Sequence, residues 1–534
     1  MSSLSATTAH PHVLAVDLGT SGCKTALVSL DGRVRAWAFR PVATQLLPGA
    51  GAEQRPEDWW QAFLDSAAEL LASGLVPASR IVAVCCSTQG EGTVAIDREG
   101  RALMPAMTWM DMRGSEGIRA RSRGWLNVAG YDAFKLQRWL RLTGGAPNLS
   151  GKDPSAHMLH IRDEHPEVYA RTHKFLNVLD YMNLRLSGRC VATVDSILTS
   201  WVTDNRRLGQ IRYDAGLIAA SGIAADKFPE LVRCTELLGA LRPEVADALG
   251  LPRSTRVVAG AIDNTAAAIG AGTLADGDAH LYIGSSSWIG AHVSAKRTDI
   301  RAGIAAVPCA LPDKYLMVAM QTSAGSNLSF LKEKVLYHRD ELLREAVTDN
   351  VYELLDRIAE RTPAGSDGLL YLPWLMGERC PVDDRSLRAG LFNLTLAHSR
   401  ETMIRAFLEG VALNTRWMKE PVERFLQRPL QELTLLGGGA NSAVWCQIFA
   451  DVLDAQIRQL EAPVQANAVG AATIAFVALG LQDFETAARQ TRYRRRFEPK
   501  PAHRALYDQK FGAFIELFRH LRPVYRRLNG GTQA

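Results

Sequence analysis

One design constrains the fold of this chain most: an apolar strand, a tight turn of small residues and a second apolar strand. Residues 13–29 are VLAVDLGTSGCKTALVS, and residues 280–294 are HLYIGSSSWIGAHVS. Residues 81–97, IVAVCCSTQGEGTVAID, are a looser variant of the same design. Because the two clear copies stand far apart in a chain of 534 residues, we predict a duplicated architecture with one copy in each half.

Longer amphipathic helices alternate with these short strands, which predicts an α/β fold. After Ser399, a favoured N-cap residue, apolar side chains recur at helical spacing as far as Met418. We predict further helices after Ser442 and over residues 507–521. The segment LPRSTRVVAG, residues 251–260, marks the predicted division between the halves.

The composition excludes several classes of protein. Hydrophobic residues make up 47% of the chain and charged residues 22%, which is typical of a globular protein and not of a disordered or fibrous one. The 61 basic and 56 acidic side chains leave a net charge of +5, which provides no electrostatic basis for binding nucleic acid or membranes. No apolar stretch approaches the roughly 18 residues of a membrane-spanning helix.

The N-terminal segment and the cysteines indicate the cellular compartment in which the protein is expected. The first residues, MSSLSATTAHPH, have neither the basic start nor the apolar centre of a secretory signal, so we expect a flexible leader over residues 1–12. The eight cysteines lack CxxC spacing and most lie in apolar runs. This predicts reduced core thiols, no structural zinc site and a cytoplasmic location. The basic run RYRRRFEPK, residues 492–500, is expected on a solvated surface.

Two segments carry acidic residues at positions suited to chemistry. In DLGTSGCK, Asp17 ends an apolar strand before a Gly-rich turn, an arrangement that can hold Mg²⁺ through water beside phosphate oxygens. The alternative is an ordinary hairpin. In GAIDNTAAAIGAG, Asp263 follows an apolar strand and precedes a run of Ala and Gly that predicts a closely packed helix. A carboxylate at this point can act as a base in a cleft, or it can simply be an N-cap.

Three further segments have compositions that suit a binding site. GSSSW, residues 284–288, is a second small-residue turn that can cradle phosphate. LLGGGANSAVW, residues 435–445, places three glycines between a strand and a helix, which leaves bare backbone for a flat ring or makes a flexible turn. LPWLMGERCPVDD, residues 372–384, has no evident packing purpose.

Taken in order and spacing, these five segments resemble the FGGY family of carbohydrate kinases. Further matching segments are EQRPEDWW (53–60), TWMDMR (108–113), LDYMNLRLSG (179–188), RAGLFNLTLAHSRETMIRAFLEGVA (388–412) and ADVL (450–453). The resemblance runs from residue 13 to residue 480. It implies an α/β fold of two ribonuclease H-like domains of the actin/hexokinase type, with a cleft between them. The expected division is a sugar-binding domain over residues 13–258, a nucleotide-binding domain over 259–490 and a helical tail over 491–534 packed on the second domain.

The resemblance also implies roles for individual residues in ATP-dependent phosphorylation. Asp263 matches the general base, and Asp17 matches the residue that organises Mg²⁺. The expected nucleotide contacts are Thr20, Lys24, Gly284, Ser285, Ser286, Gly325, Gly438, Gly439 and Asn441. The expected sugar contacts are Gln89, Gly90, Glu91, Trp109, Asp263 and Asn264. Such a set suits phosphoryl transfer, which needs positioning and charge neutralisation more than covalent chemistry.

The expected substrate is D-xylulose, because the chain most resembles the xylulokinases of the family. Its substrate loop departs from them, since Glu91 stands where they usually carry His. L-xylulose, ribulose, erythritol and glycerol therefore stay open as substrates, and Glu91 has the alternative of pairing with Arg113. A regulator that binds sugar and ATP without turnover is the alternative from another class, but the presence of both Asp17 and Asp263 disfavours it. The resemblance leaves a homodimer open.

Overall fold

The computed structural model describes residues 10–338, 340 and 349–530. Most of the predicted leader, residues 1–9, and the last four residues of the predicted tail lie outside this range. In chain order, strands β1 to β27 are His12–Gly19, Gly22–Ser29, Val34–Pro41, Gln45–Leu47, Gly51–Gln54, Ile81–Thr88, Val94–Ile96, Ala106–Met107, Asn127–Val128, Tyr131–Asp132, Lys174–Leu176, Val191–Thr193, Thr203–Asp204, Arg212–Tyr213, Glu230–Val232, Leu237–Ala240, Arg256–Ile262, Ala279–Ile283, Ser287–Val293, Thr298–Asp299, Ile304–Pro308, Tyr315–Gln321, Leu370–Leu372, Gly390–Phe392, Glu432–Leu436, Gln456–Leu460 and Tyr493–Phe497.

Most of the α-helices lie between these strands along the chain, as is typical of an α/β fold, and α16 follows the last strand. In chain order, helices α1 to α16 are Pro56–Ala72, Ser115–Ser122, Ala133–Leu142, Pro154–Glu164, Pro166–Arg171, Val178–Ser187, Ala215–Ser221, Pro243–Leu249, Asp263–Gly270, Gly325–Phe330, Val351–Arg361, Arg400–Leu426, Ala443–Leu453, Ala466–Ala478, Phe484–Arg489 and Arg504–Asn529. Of the helices in the described ranges, none is both long and apolar enough to cross a bilayer.

The first half of the chain builds a six-stranded sheet in the order β16-β17-β6-β1-β2-β3. Strands β1 and β2 form the predicted hairpin, in register from His12 opposite Ser29 to Gly19 opposite Gly22. Alternate residues of β1 pack into two different hydrophobic cores, because successive side chains of a strand point to opposite faces of the sheet. Leu14, Val16 and Leu18 pack with helix α1, whereas Val13 and Ala15 pack with helix α14.

The second half builds an eight-stranded sheet in the order β20-β21-β22-β19-β18-β25-β26-β27. Its β18–β19 hairpin, with Ile283 opposite Ser287, is the second copy of the predicted design. The predicted duplication and the α/β class are therefore confirmed. The basic run forms edge strand β27, where Arg494, Arg495 and Arg496 are exposed.

The third strand–turn–strand segment, residues 81–97, does contain two strands, β6 and β7, but they do not pair with each other as the strands of the two clear copies do. Strand β6 pairs in parallel with β1 and β17 at the centre of the first sheet. Strand β7 leaves that sheet and pairs with β11 in a separate ribbon. A continuous apolar run is typical of a buried parallel strand, and this explains why β6 does not turn back on itself.

Helices α9 and α14 cross at glycines and bring the two halves of the chain together. A Cβ atom on Gly270 would lie 1.9 Å from the Ala466 carbonyl oxygen, and one on Gly470 would lie 1.9 Å from that of Ala266. The backbones therefore touch, as the run of Ala and Gly predicts. Through this contact α14, which comes late in the chain, packs on the first sheet. The expected boundary between the two domains, at residue 258, falls within strand β17. The division of the chain into domains at that point stays a prediction.

Helix α16 packs against the second half through aromatic side chains. The ring of Phe514 lies 5.3 Å from that of Trp374, and the ring of Phe518 lies 4.5 Å from that of Trp417. Beneath it, Glu409 on α12 forms a buried ion pair with Lys510 at 3.0 Å and with Arg405 at 2.9 Å.

All eight cysteines are free, and seven of them are buried.

Candidate functional site

Three strands of the first sheet end at one edge and carry the candidate residues there. In the parallel ladder, Leu18 of β1 and Ile262 of β17 both align with Thr88 of β6. The residues that follow each strand must therefore be neighbours. The structure brings together the turn at Thr20, the loop at Gln89, Gly90 and Glu91, and the start of α9 at Asp263 and Asn264.

Asp17 is buried and makes contacts with both halves of the chain. Its Oδ2 lies 2.5 Å from Lys24 Nζ, and its Oδ1 accepts a hydrogen bond of 3.3 Å from Asn467 Nδ2. Lys24 Nζ also donates to the Val464 carbonyl oxygen at 3.3 Å. The pair of Asp17 and Lys24 thus faces the segment that begins α14, and the first turn of the first sheet lies against the second half.

Asp263 is the first residue of α9 and presents a half-buried carboxyl group. Its Oδ1 accepts a hydrogen bond from the Asn264 amide at 2.7 Å, so it is not the N-cap that the alternative interpretation required. Burial raises the pKa of Asp263 to about 7, and the nearby carboxylates of Asp17, Glu91 and Asp195 act in the same direction. A carboxyl group that titrates near neutral pH is suited to accept and release a proton.

A chain of hydrogen bonds joins the first turn to the substrate loop. The Thr20 hydroxyl donates to Gln89 Oε1 at 3.0 Å and accepts from Trp109 Nε1 at 2.8 Å. Gln89 Nε2 donates to Gln54 Oε1 at 2.8 Å, and Gln54 Nε2 donates to the Thr20 carbonyl oxygen at 2.7 Å. Thr20 therefore lies with the expected sugar contacts, and both ends of the Gln89 amide are held by protein.

Glu91 occupies a strained turn between charged residues. Its φ of 62° is in the left-handed region, where residues other than glycine are uncommon and often functional. Burial raises the pKa of Glu91, while Arg379 and Lys152 oppose the rise. Lys152 Nζ also lies 5.5 Å from the centre of the Trp109 ring. Within the described residues, the Glu91 carboxylate accepts no hydrogen bond, so its oxygens are available to a ligand.

The alternative in which Glu91 pairs with Arg113 is wrong. Arg113 instead binds Glu53 at 2.5 Å and Asp111 at 2.6 Å. Asp111 is fully buried and also accepts the Ala52 amide at 2.9 Å. This cluster therefore joins the matching segments EQRPEDWW and TWMDMR, and it engages Arg113, so Arg113 is not the partner of Glu91.

The corresponding edge of the second sheet holds the small-residue turn between β18 and β19. Gly284, Ser285 and Ser286 form this turn, and the Ala324 and Gly325 amides donate to the Ser285 and Gly284 carbonyl oxygens at 2.8 Å each. A Cβ atom on Gly325 would lie 2.5 Å from the Gly284 carbonyl oxygen. Gly325 thus braces the turn by close backbone contact.

The triple-glycine segment lies beside this turn, because β25 runs parallel to β18 with Leu436 aligned to Tyr282. A Cβ atom on Gly439 would collide with the Ile283 side chain at 2.4 Å, whereas one on Gly438 would meet nothing within 4 Å. Gly438 therefore presents open backbone surface. Asn441, at the end of the same short helical turn, is exposed.

Sequence reasoning missed three side chains that approach the site. Lys152 lies in SGKDP, residues 150–154, and Arg379 lies in LPWLMGERCPVDD, a segment whose pattern assigns it no role. Glu378 positions the second motif, since its carboxylate accepts the Thr322 and Arg379 amides and the Asn414 side chain at 2.6–2.9 Å. Asn467 has no sequence signal, because its contact with Asp17 depends on the packing of α14 on the other sheet.

Comparisons with known proteins agree with this geometry. A model of the N-terminal domain of the FGGY family of carbohydrate kinases matches residues 12–270, and one of the C-terminal domain matches residues 280–479. The chain is 28% identical over 518 residues to the xylulose kinase of Bacillus subtilis, covering 96% of this chain and 98% of that one. It is also 28% identical over 521 residues to the gluconokinase of the same organism, covering 97% of each. The crystal structure of xylulose kinase from Rhodospirillum rubrum superposes with a TM-score of 0.78 at 26% identity, over 96% of this chain and all of that one.

Proposed function

The chain belongs to the FGGY family of carbohydrate kinases and is an ATP-dependent sugar kinase, and we propose that its substrate is D-xylulose, phosphorylated at the terminal hydroxyl to D-xylulose 5-phosphate. The observation that carries the phosphoryl-transfer chemistry is Asp263, a carboxyl group with a pKa of about 7 at the edge where three strands of the first sheet end. The choice of a neutral sugar rests on Glu91. The sugar would lie against the first half of the chain and ATP against the second.

The chemistry assigned to Asp263 is removal of one proton. Its carboxylate takes the proton of the terminal sugar hydroxyl as that oxygen forms a bond to the γ-phosphorus, while the bond to the β,γ-bridging oxygen breaks and ADP leaves. The turn of Gly284, Ser285 and Ser286 would border the phosphates. The amides of Ser285 and Ser286 would hold them, because the Gly284 amide already donates to the Ser286 carbonyl oxygen at 2.9 Å. Gly438, Gly439 and Asn441 would border the nucleotide. Thr20 and Gln89 would position Trp109 and Glu91 around the sugar.

The site is compatible with Mg²⁺ that arrives with the nucleotide. Mg²⁺ is usually held by one or two carboxylates, waters and substrate phosphates, so a cage made entirely of protein ligands is not needed. The described residues contain no group of three His, Cys, Asp or Glu side chains that could hold a metal by themselves. Because both oxygens of Asp17 are engaged by Lys24 and Asn467, we propose that Asp17 would hold Mg²⁺ through water and not as a direct ligand. The ion would neutralise phosphate charge.

Glu91 supports a neutral sugar as the substrate. Its free carboxylate oxygens can accept hydrogen bonds from adjacent hydroxyls, and its negative charge would repel the carboxylate of an aldonate. Gluconate is the second candidate, because Lys152 and Arg379 flank Glu91 and supply positive charge for an acid. The similarity to a gluconokinase is equal in identity to that with a xylulose kinase. A change at Glu91 should therefore affect the turnover of D-xylulose and of gluconate differently, which distinguishes the two candidate substrates.

Replacing Glu91 with glutamine tests this assignment. Glu91→Gln keeps the volume but removes the charge-assisted hydrogen bond, which is worth about 1.5–3 kcal/mol. We expect kcat/KM for D-xylulose to fall by roughly ten- to hundredfold. Turnover of gluconate should stay constant or rise, since the repulsion is removed. Steady-state assays of ADP release with both compounds measure these changes.

Glu99→Gln is the matched control, because Glu99 is an exposed carboxylate that pairs with Arg101 on the surface. This variant should retain the activity of the wild-type protein with every sugar. Equal losses for all sugars in Glu91→Gln, or no loss for any of them, would show that Glu91 does not contact the substrate.

The pH dependence of activity should follow Asp263. Because burial raises its pKa to about 7, the carboxylate that accepts the proton is depleted below this pH and complete above it. We expect kcat/KM to fall by about tenfold for each pH unit below 7 and to level off above it. Asp153 also has a pKa raised to about 7 by burial, so Asp153→Asn is the control and should keep the acidic limb. A flat profile between pH 5 and 8 would contradict the assignment.

A further inference from the structure

A cavity of about 600 Å³ lies at the opposite end of the β1–β2 hairpin from Asp17. It is lined by the end of β2 and the β2–β3 turn, by one face of α14 and by the segment that leads into β27. Val28 and Ser29 in its wall pair with Val13 and His12, whereas Asp17 lies near the other end of the same hairpin. The cavity is therefore separate from the proposed active site, and its volume is in the range of small-molecule sites.

The floor of this cavity is one face of helix α14, and it is mainly apolar. Ala466, Val469, Ala472, Thr473 and Phe476 recur on α14 at spacings of three and four residues, so they form one face of the helix. Ala472 and Phe476 are almost completely buried. A surface of this kind favours an aromatic or aliphatic body over a strongly hydrated one.

One polar group in the wall lacks a partner. Gln482 Oε1 is buried and accepts no hydrogen bond from the residues that the structure describes. Buried acceptors are nearly always satisfied, since an unpaired one costs about 1–3 kcal/mol. The oxygen has almost no accessible surface, so an N–H or O–H donor on a bound molecule would meet it only after the side chain rotates toward the cavity.

The mouth of the cavity carries an excess of positive charge. Arg33, Arg35 and Arg492 border it, together with Glu461. Asp31 lies 3.3 Å from Arg33 and 3.4 Å from Arg492, and the second of these ion pairs joins the two halves of the chain. Three guanidinium groups thus face two carboxylates, which favours a ligand with a negative charge.

We propose that this cavity binds a small organic anion that has an apolar body, one acidic group and one hydrogen-bond donor. The body packs on α14 and the acidic group lies among the arginines, while the donor meets Gln482 once that side chain turns toward the cavity. Because the β2–β3 turn and the segment at Glu461 and Arg492 belong to different halves, a bound ligand contacts both. Its binding would be coupled to any change in the separation of the halves, and hence to the affinity for the sugar.

The probe for this site is 8-anilinonaphthalene-1-sulfonate, which has two aromatic groups, one sulfonate and one N–H. Fluorescence titration of the full chain is carried out with saturating sugar and a non-hydrolysable ATP analogue, so that the active site is occupied. We expect one probe molecule to bind per chain. Val469→Trp, which fills the cavity from α14, should weaken binding by at least about tenfold. Arg33→Ala combined with Arg492→Ala should weaken it by about threefold or more without placing bulk in the core.

Arg489→Ala is the control, because Arg489 is an exposed arginine on the neighbouring helix α15 that does not line the cavity. It should bind the probe as the wild-type protein does. No binding to the wild-type protein, or a dissociation constant that the double arginine variant leaves unchanged, would overturn the proposal. If Val469→Trp alters the circular dichroism spectrum, the double arginine variant alone decides the outcome.

Discussion

Asp263→Asn is expected to lower kcat by two orders of magnitude or more while sugar binding is largely kept. Asparagine retains the size of the side chain and an oxygen that can accept the Asn264 amide, but it cannot take a proton from the substrate. The barrier to phosphoryl transfer therefore rises without a change in the shape of the site. Steady-state ADP release gives kcat, and calorimetric titration gives the dissociation constant of the sugar.

Asp247→Asn serves as the control for this variant, because Asp247 is an exposed carboxylate paired with Arg253 at the surface. It should leave both quantities unchanged. A kcat for Asp263→Asn within about threefold of the wild-type value would remove Asp263 from the role of base.

Glu409→Ala is expected to lower the free energy of unfolding by about 3–5 kcal/mol. Glu409 is 1% exposed. Its carboxylate accepts hydrogen bonds from Arg405, Gly365, Ser366, Tyr507 and Lys510 at 2.9–3.0 Å. Removing it leaves the cations of Arg405 and Lys510 buried without their anionic partner, which costs more than the pair itself contributes. Urea unfolding followed by tryptophan fluorescence should show a lower midpoint.

Glu401→Ala is the matched control on the same helix. Glu401 pairs with Arg361 at an exposed position, where an ion pair is worth about 0–1 kcal/mol. Its unfolding midpoint should stay close to that of the wild-type protein. If Glu409→Ala unfolds at the same urea concentration as Glu401→Ala, the buried cluster does not stabilise the contact between α12 and α16.

The fold was predictable where a local pattern determines the element. The hairpins at residues 13–29 and 280–294 combine apolar alternation with a turn of small residues, and the α9 segment combines a strand end with a run of Ala and Gly. The segment at 81–97 forms the two strands that its pattern predicts, but the strands do not pair with each other. The partners of β6 come from residues 12–18 and 256–262, and no local pattern encodes such non-local pairing.

The site was predictable to the extent that its residues follow strands in sequence. Asp17, Gln89 and Asp263 each come directly after or at the end of a parallel strand, so the sheet brings them together. The approach of Lys152, Arg379 and Asn467 depends on how helices and loops from distant parts of the chain pack. The partners of Gln89 also depend on packing, because Gln54 and Thr20 reach it from other loops.

The most direct test of the account is an ADP-release assay with D-xylulose, L-xylulose, ribulose, erythritol, glycerol and gluconate, run in parallel on the wild-type protein and Asp263→Asn. We expect the highest kcat/KM for D-xylulose and a loss of that activity by two orders of magnitude or more in the variant. A higher kcat/KM for gluconate or a polyol would contradict the proposed substrate. Undiminished turnover of D-xylulose by Asp263→Asn would contradict the proposed mechanism.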